Sequence, residues 1–414
     1  MMKDYHWYDI LQYTALLLMA AAAPVGWRVA LWVALLLALV SAVKVVARRR
    51  LGNPALTPAL RWVLLMPIVY WAVLAVSLLW SGDVAAGWAV LRLKATLLIF
   101  PLCLLLTDTR YLDAVRVRAL GYALVASVVG VFLFFAVKAG LGLADGRSFA
   151  AVTGVTFDPR HHAYTAMYAT VAMVFVYCAL SAGWTAMRGW QRGLLLASLP
   201  LLICYVVLVN SRAGMLAMGV AGMACVAHLA VVRRSWRLGV GAAVVLVGAI
   251  FAATQLLPGH VDRLASTLEN VEQDARTYIN RSNWNAVCQR PWFGYGVGDY
   301  RSAQVAQYGA DSFDAGTRAA YNAHNQYMES LLAAGLLGLL TLLLYLLSPL
   351  ALALKRRSAF RFPVAMLTVV IMLNILFESM LERQMGLLFI GFWIVETVLI
   401  MSVEENKFVR MQKS

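Results

Sequence analysis

The chain is a succession of apolar runs separated by short polar stretches. A helix that spans a bilayer takes about 20 apolar residues, within a range of about 17–25. On that measure twelve spans are predicted, near 8–24, 29–47, 62–80, 92–107, 119–140, 163–182, 193–210, 213–231, 238–256, 327–350, 362–380 and 385–403. The run at 92–107 is broken at its start by Arg92 and Lys94. The expected fold is therefore an all-α polytopic membrane protein of about twelve transmembrane helices with one large outer loop, periplasmic if the cell is of the kind the motifs below imply. Nine helices fall in 1–256, the loop in 257–326, and three helices with a cytoplasmic tail in 327–414. Within the loop, "RSNWNAVCQRPWFGYG" predicts a short helix stopped by Pro291 and the glycines, lying along the membrane surface.

Charge orders these elements. The basic clusters at 48–61, 108–118, 187–192, 233–237 and 355–361 occupy every second connection, and the C-terminal tail joins them. Basic connections stay on the cytoplasmic side of a membrane, so both termini are expected in the cytoplasm. The loops at 141–162 and 257–326 then face outward, as does the break at 210–212.

Composition agrees. Hydrophobic residues make up 62% and charged residues 13%, against about 45–50% and about 25% in ordinary soluble domains. The net charge of +15 is scattered among connections rather than gathered in a nucleic-acid-binding patch. No cleavable signal peptide is evident, because a second span follows the first at once. Four of the five cysteines lie in apolar runs, and no disulfide framework is suggested.

The candidate chemistry collects on the outer side. Arg212, in "NSRAG", places a guanidinium between two apolar stretches, where a charge is costly and marks a functional site. Guanidinium is suited to phosphate because it is always charged and forks. "YNAHNQYMES" puts His324 at the start of a span, with Asn325 and Glu329 close by. Among arginines a neutral imidazole is favoured, which suits a general base. Arg160 and His162, in "DPRHH", offer a further phosphate grip. Glu378, one helical turn before Glu382, is placed to orient the histidine or an arginine. Histidine spacing does not suit zinc, and "GYGVGDY" lacks the strand and spacing of a dinucleotide site. Those glycines are expected to turn the chain tightly near the membrane.

"NSRAG", "RSNWNAV…RPWFGYGVGDY" and "AHNQYMESLLAAGLLG" together resemble the O-antigen ligase and polymerase superfamily. The architecture matches along the chain, and the motifs fall in about 210–340. The resemblance implies a glycosyltransferase that moves O-antigen from undecaprenyl pyrophosphate to lipid A-core at the periplasmic face of the bacterial inner membrane. By position His324 fits the catalytic histidine and Arg212 the arginine of the SRxG element. Arg281 fits the loop arginine, with Arg276 also open because the family's usual position is Asn280 here. Fixed cations would replace a metal, so no cofactor is expected, and direct attack would invert the anomeric carbon. The expected partners are the two glycolipids and membrane lipid. The alternatives are an O-antigen polymerase, a protein O-oligosaccharyltransferase and a lipid-linked sugar transporter.

Overall fold

A computed structural model of the chain describes residues 6–147, 162–183, 187–237 and 275–413, with 239–241, 243–244 and 247–248. Helices dominate and no strand occurs among the described residues. In chain order they are α1 Trp7–Val25, α2 Trp27–Arg48, α3 Pro58–Val76, α4 Val84–Lys94, α5 Thr96–Leu106, α6 Ala114–Ala144, α7 His162–Gly183, α8 Gly189–Val209, α9 Arg212–Val232, α10 Ala275–Gln289, α11 Tyr300–Ala310, α12 Asp314–Ala319, α13 Gln326–Lys355, α14 Arg361–Phe377 and α15 Gln384–Lys413.

Nine of the described helices are long and apolar enough to cross a membrane, ten if the bent pair α4–α5 is one span. The sequence predicts more. The expected span at 238–256 lies mostly outside the described residues, and α14 is apolar but has only 17 residues. The expected span at 92–107 begins instead at Val84, capped by Asp83, and bends by 46° at Ala95. Lys94 at the bend is buried and reaches Glu382.

The chain forms two compact units. The first comprises Met1–Leu120, Asn270–Val364 and Ile375–Ser414, and the second Gly121–Glu269 with Ala365–Asn374. In the first, α15 is the most enclosed span and packs on α2, α3 and α5. At one end of this unit, Lys44 is fully buried, pairs with Asp9 at 2.7 Å and donates to Gln12 at 2.7 Å. A buried ammonium is tolerated only with such partners. α3 leads from this end to the other, where residues 77–83, 291–300, 321–326 and 378–384 meet.

The meeting is built on a broken helix. Inside α13, Ala334 and Gly335 leave helical geometry, Gly335 with φ 62° and ψ −153°. The backbone groups this frees are taken up by the glycine-rich segment after α10. Tyr295 N–H donates to Leu332 O at 2.8 Å, Gly296 N–H to Ala333 O at 3.0 Å, and Leu336 N–H to Pro291 O at 2.8 Å. An interrupted helix in an apolar setting requires this satisfaction. Both glycines are required here. A Cβ on Gly335 would lie 2.3 Å from the Trp292 carbonyl carbon, and one on Gly294 (φ +66) 2.6 Å from Leu332 O. The far edge of the segment is held as well. Val297 N–H and Gly298 N–H donate to Ser77 and Ser81, each at 3.0 Å, and Asp299 accepts from Gly82 N–H and Asp83 N–H.

Gly335→Ala is therefore expected to misassemble this end of the unit. That backbone region is almost closed to other residues and costs about 1–3 kcal/mol before the clash is added. Fluorescence-detected gel filtration after heating checks it. An unchanged midpoint of thermal aggregation would mean that the junction yields easily.

Candidate active site

The polar run before α13 is a set of assigned side chains. Asn325 is the N-cap of α13, its Oδ1 accepting from Tyr327 N–H at 2.9 Å and Met328 N–H at 3.2 Å. Asn322 Oδ1 accepts from His324 N–H at 3.2 Å. Gln326 accepts from Leu381 N–H at 2.7 Å and donates to Glu382 at 3.3 Å. Glu329, which helical spacing sets beside Asn325, faces into the protein and is 1% exposed.

His324 stands at φ +46, in the left-handed region uncommon for residues other than glycine. Its Nδ1 lies 3.3 Å from Oε2 of Glu378. Burial alone would raise Glu378. The bond to His324, the imidazole's charge and then Arg276 outweigh it, so the carboxyl is held below its ordinary value. An ionised carboxylate only accepts hydrogen bonds. In the neutral ring an ionised Glu378 favours the tautomer with the proton on Nδ1, which presents the lone pair at Nε2. The imidazole is half-buried, with 33% of its side chain exposed. A carboxylate set against an imidazole nitrogen in this way can orient the ring.

Of the two candidate loop arginines, Arg276 is the one whose charge acts on Glu378. Both lie on α10, five positions apart and so about 140° around the helix. Arg276 acts on Glu378. Arg281 faces Asp311, whose carboxyl is lowered first by a hydrogen bond from Ser282 and in smaller part by Arg281.

Beneath lies a cluster the sequence reading missed in large part. Glu382 is buried, pairs with Lys94, accepts from Tyr300 OH at 2.9 Å and meets Arg301 at 3.3 Å. Burial would raise its carboxyl, but Lys94 and Arg301 together hold it at about 2. It ties α4, α11 and the turn after α14 to the start of α13, a scaffold for the histidine. Lys94 showed in the sequence only as an irregular charge in a span, and nothing local linked it to Glu382.

The second unit holds the other expected residues. α8 ends at Asn210, left-handed at φ 56°, a conformation asparagine tolerates. Ser211 caps α9, its side chain accepting from Gly214 N–H at 3.1 Å. Arg212 follows at the first helical position and is exposed. A Cβ on Gly214 would lie 2.2 Å from Cβ of Ala166, so α9 packs closely on α7 at this end. His162, the first residue of α7, is exposed at the same end. The cation stands where the helix dipole is also positive, an arrangement that suits an anion. Arg160 lies outside the described residues. Among the described residues no group of three or more His, Cys, Asp or Glu is placed to hold a metal.

Residues 196–343, roughly a third of the chain, match a family described as O-antigen ligase. No curated protein matches the chain. The match supports the O-antigen ligase and polymerase superfamily of membrane glycosyltransferases. It takes in Arg212, Arg276 and His324, and ends before Glu378.

Proposed function

We propose, from the O-antigen ligase match and the residues it contains, that this chain transfers a finished O-antigen glycan from undecaprenyl pyrophosphate to lipid A-core at the periplasmic face of the inner membrane. The observation that carries the reading is the His324–Glu378 pair, whose carboxyl also feels the charge of Arg276. A sugar hydroxyl is a weak nucleophile, and a positioned base contributes typically about 10²–10⁴-fold. Nε2 of His324 takes the proton of the acceptor hydroxyl as its oxygen attacks the anomeric carbon. The bond from that carbon to the phosphate oxygen breaks, and undecaprenyl diphosphate leaves with the electron pair. Attack from the opposite face inverts the anomeric centre.

Arg276 stabilises the negative charge that grows on the departing diphosphate, since preorganised cations are most effective where charge develops. Glu378 keeps the proton on Nδ1 and sustains the imidazolium once it forms. Arg212 is assigned to phosphate recognition on its own geometry, a guanidinium at a helix N-terminus near His162. Lysine cannot fork to phosphate, so Arg212→Lys is expected to lose at least about tenfold in turnover while still inserting in the membrane. Near-normal turnover would remove the diphosphate role. Fixed cations do the work a metal does elsewhere, so transfer is proposed to be metal-independent.

A polymerase would use the same donor with a second lipid-linked glycan as acceptor. Glycolipid analysis of the native bacterium lacking this gene separates the readings. Bare lipid A-core with long chains stranded on the carrier supports the ligase. Lipid A-core carrying a single repeat means a polymerase. Unchanged lipopolysaccharide contradicts both and points to protein glycosylation or transport.

A further inference from the structure

His324 is not held by its own contacts alone. The residues on either side of it, Ala323 and Asn325, are tied to one closed ring of hydrogen bonds. Ala323 N–H donates to Oε1 of Glu329 at 2.9 Å. Asn325 N–H donates to Oγ of Ser379 at 3.2 Å. The hydroxyl of Ser379 donates in turn to the same Oε1 of Glu329, at 3.1 Å. Glu329 and Ser379 are each 1% exposed. Both backbone groups flanking the histidine thus end on one buried carboxyl oxygen, directly or through one hydroxyl. Ser379 is also the residue next to Glu378.

We propose that Glu329 is a positioning residue for transfer: through Ser379 it latches the His324 loop to the Glu378 turn and sets the distance between base and orienting acid. This rests on the reading of His324 as the base. Glu329 touches no reacting atom. Several features of the site require such a part. His324 occupies a backbone conformation that surrounding structure must impose. Its partner Glu378 lies on a separate turn, so the loop and the turn must be fastened to each other. The ring spans both and closes on the only residues between which the imidazole stands. It also explains a carboxyl in the first turn of α13 that faces the protein interior. Only Oε1 is used. Oε2 is buried and has no hydrogen-bond partner among the described residues, so the ring calls on one acceptor oxygen rather than on a negative charge.

Variants of the purified full-length chain test this, with donor and acceptor glycolipids in detergent. Glu329→Gln keeps an acceptor oxygen at the same reach, and turnover is expected to stay within about threefold of wild type. Glu329→Ala removes the acceptor. A displacement of about 1 Å costs on the order of 10²-fold in a positioned reaction, so kcat is expected to fall by about that factor, with KM for the donor within about threefold. Placed in a His324→Ala background, Glu329→Ala is expected to add no further loss, since the two act as one unit. A readout independent of activity accompanies these. Acylation of His324 by diethyl pyrocarbonate, mapped by mass spectrometry, is expected to quicken in Glu329→Ala and not in Glu329→Gln. Should Glu329→Ala fail to fold, Ser379→Ala opens the ring at its other node and takes its place in every assay.

Equal damage from Gln and Ala would show that charge, not the latch, is what matters. A change confined to KM, an additive double variant, or unchanged acylation of His324 would each overturn the proposal. If His324→Ala itself retains transfer, the base reading falls, and the acylation rates still decide whether the latch holds the loop.

Discussion

Replacing His324 by alanine is expected to lower turnover by about 10²–10⁴-fold, the span that a positioned general base supplies. The chain is expected still to insert and fold, because the ring flanking residue 324 uses the backbone N–H groups of Ala323 and Asn325, which the substitution leaves in place. The loss sits in kcat, since the base acts on the acceptor hydroxyl only as it attacks. Glu378→Gln falls between the two. A glutamine keeps an acceptor for the Nδ1–H, so the tautomer survives, but the charge that sustains the imidazolium is gone. Turnover by His324→Ala at the wild-type rate would remove the base, and with it the role of Glu378.

The second large effect separates two arginines on one helix. Arg276→Ala is expected to lose about 10²–10³-fold in kcat, the range typical of removing one group that stabilises a developing oxyanion. Arg281→Ala should cost no more than about threefold, as a solvent-facing substitution on the Asp311 side of α10. Both are exposed, so neither change should harm folding. The contrast is the informative part, because the motif spacing alone favours Arg281. Measured turnover in matched preparations decides it. The reverse ranking would mean that α10 presents its other face to the donor.

Much of the fold is legible in the chain because membrane helices are written locally. Apolar length sets a span, and the "NSRAG" break announces itself as a left-handed asparagine, a capping serine and a glycine at a helix crossing. The motif glycines around 294–298 could be read as a tight turn. That they mend a broken α13 could not, since the break at Ala334–Gly335 follows from a pairing between distant segments. The same holds for the site. His324 stood out as a histidine at the threshold of a span. Glu378 was visible as a charge near a helix end, but with two candidate partners. Lys94, Ser379 and Arg301 gave no local signal of their roles, because a hydrogen bond across more than 50 positions leaves no period in the sequence. Arg276 and Arg281 differ only in which way α10 turns them, and helix phase against a neighbour is set by packing.

On the proposed function, this chain itself joins a lipid-diphosphate glycan to lipid A-core using its own side chains. The direct measurement is transfer by the purified chain in proteoliposomes with EDTA present, supplied with undecaprenyl-pyrophosphate-linked glycan and lipid A-core. The expected result is intact glycan on lipid A-core with an inverted anomeric linkage, undecaprenyl diphosphate released in equal amount, and transfer by His324→Ala lowered by about 10²–10⁴-fold. Absence of product from well-folded protein, or glycan lengthened on its carrier with lipid A-core left bare, would contradict it.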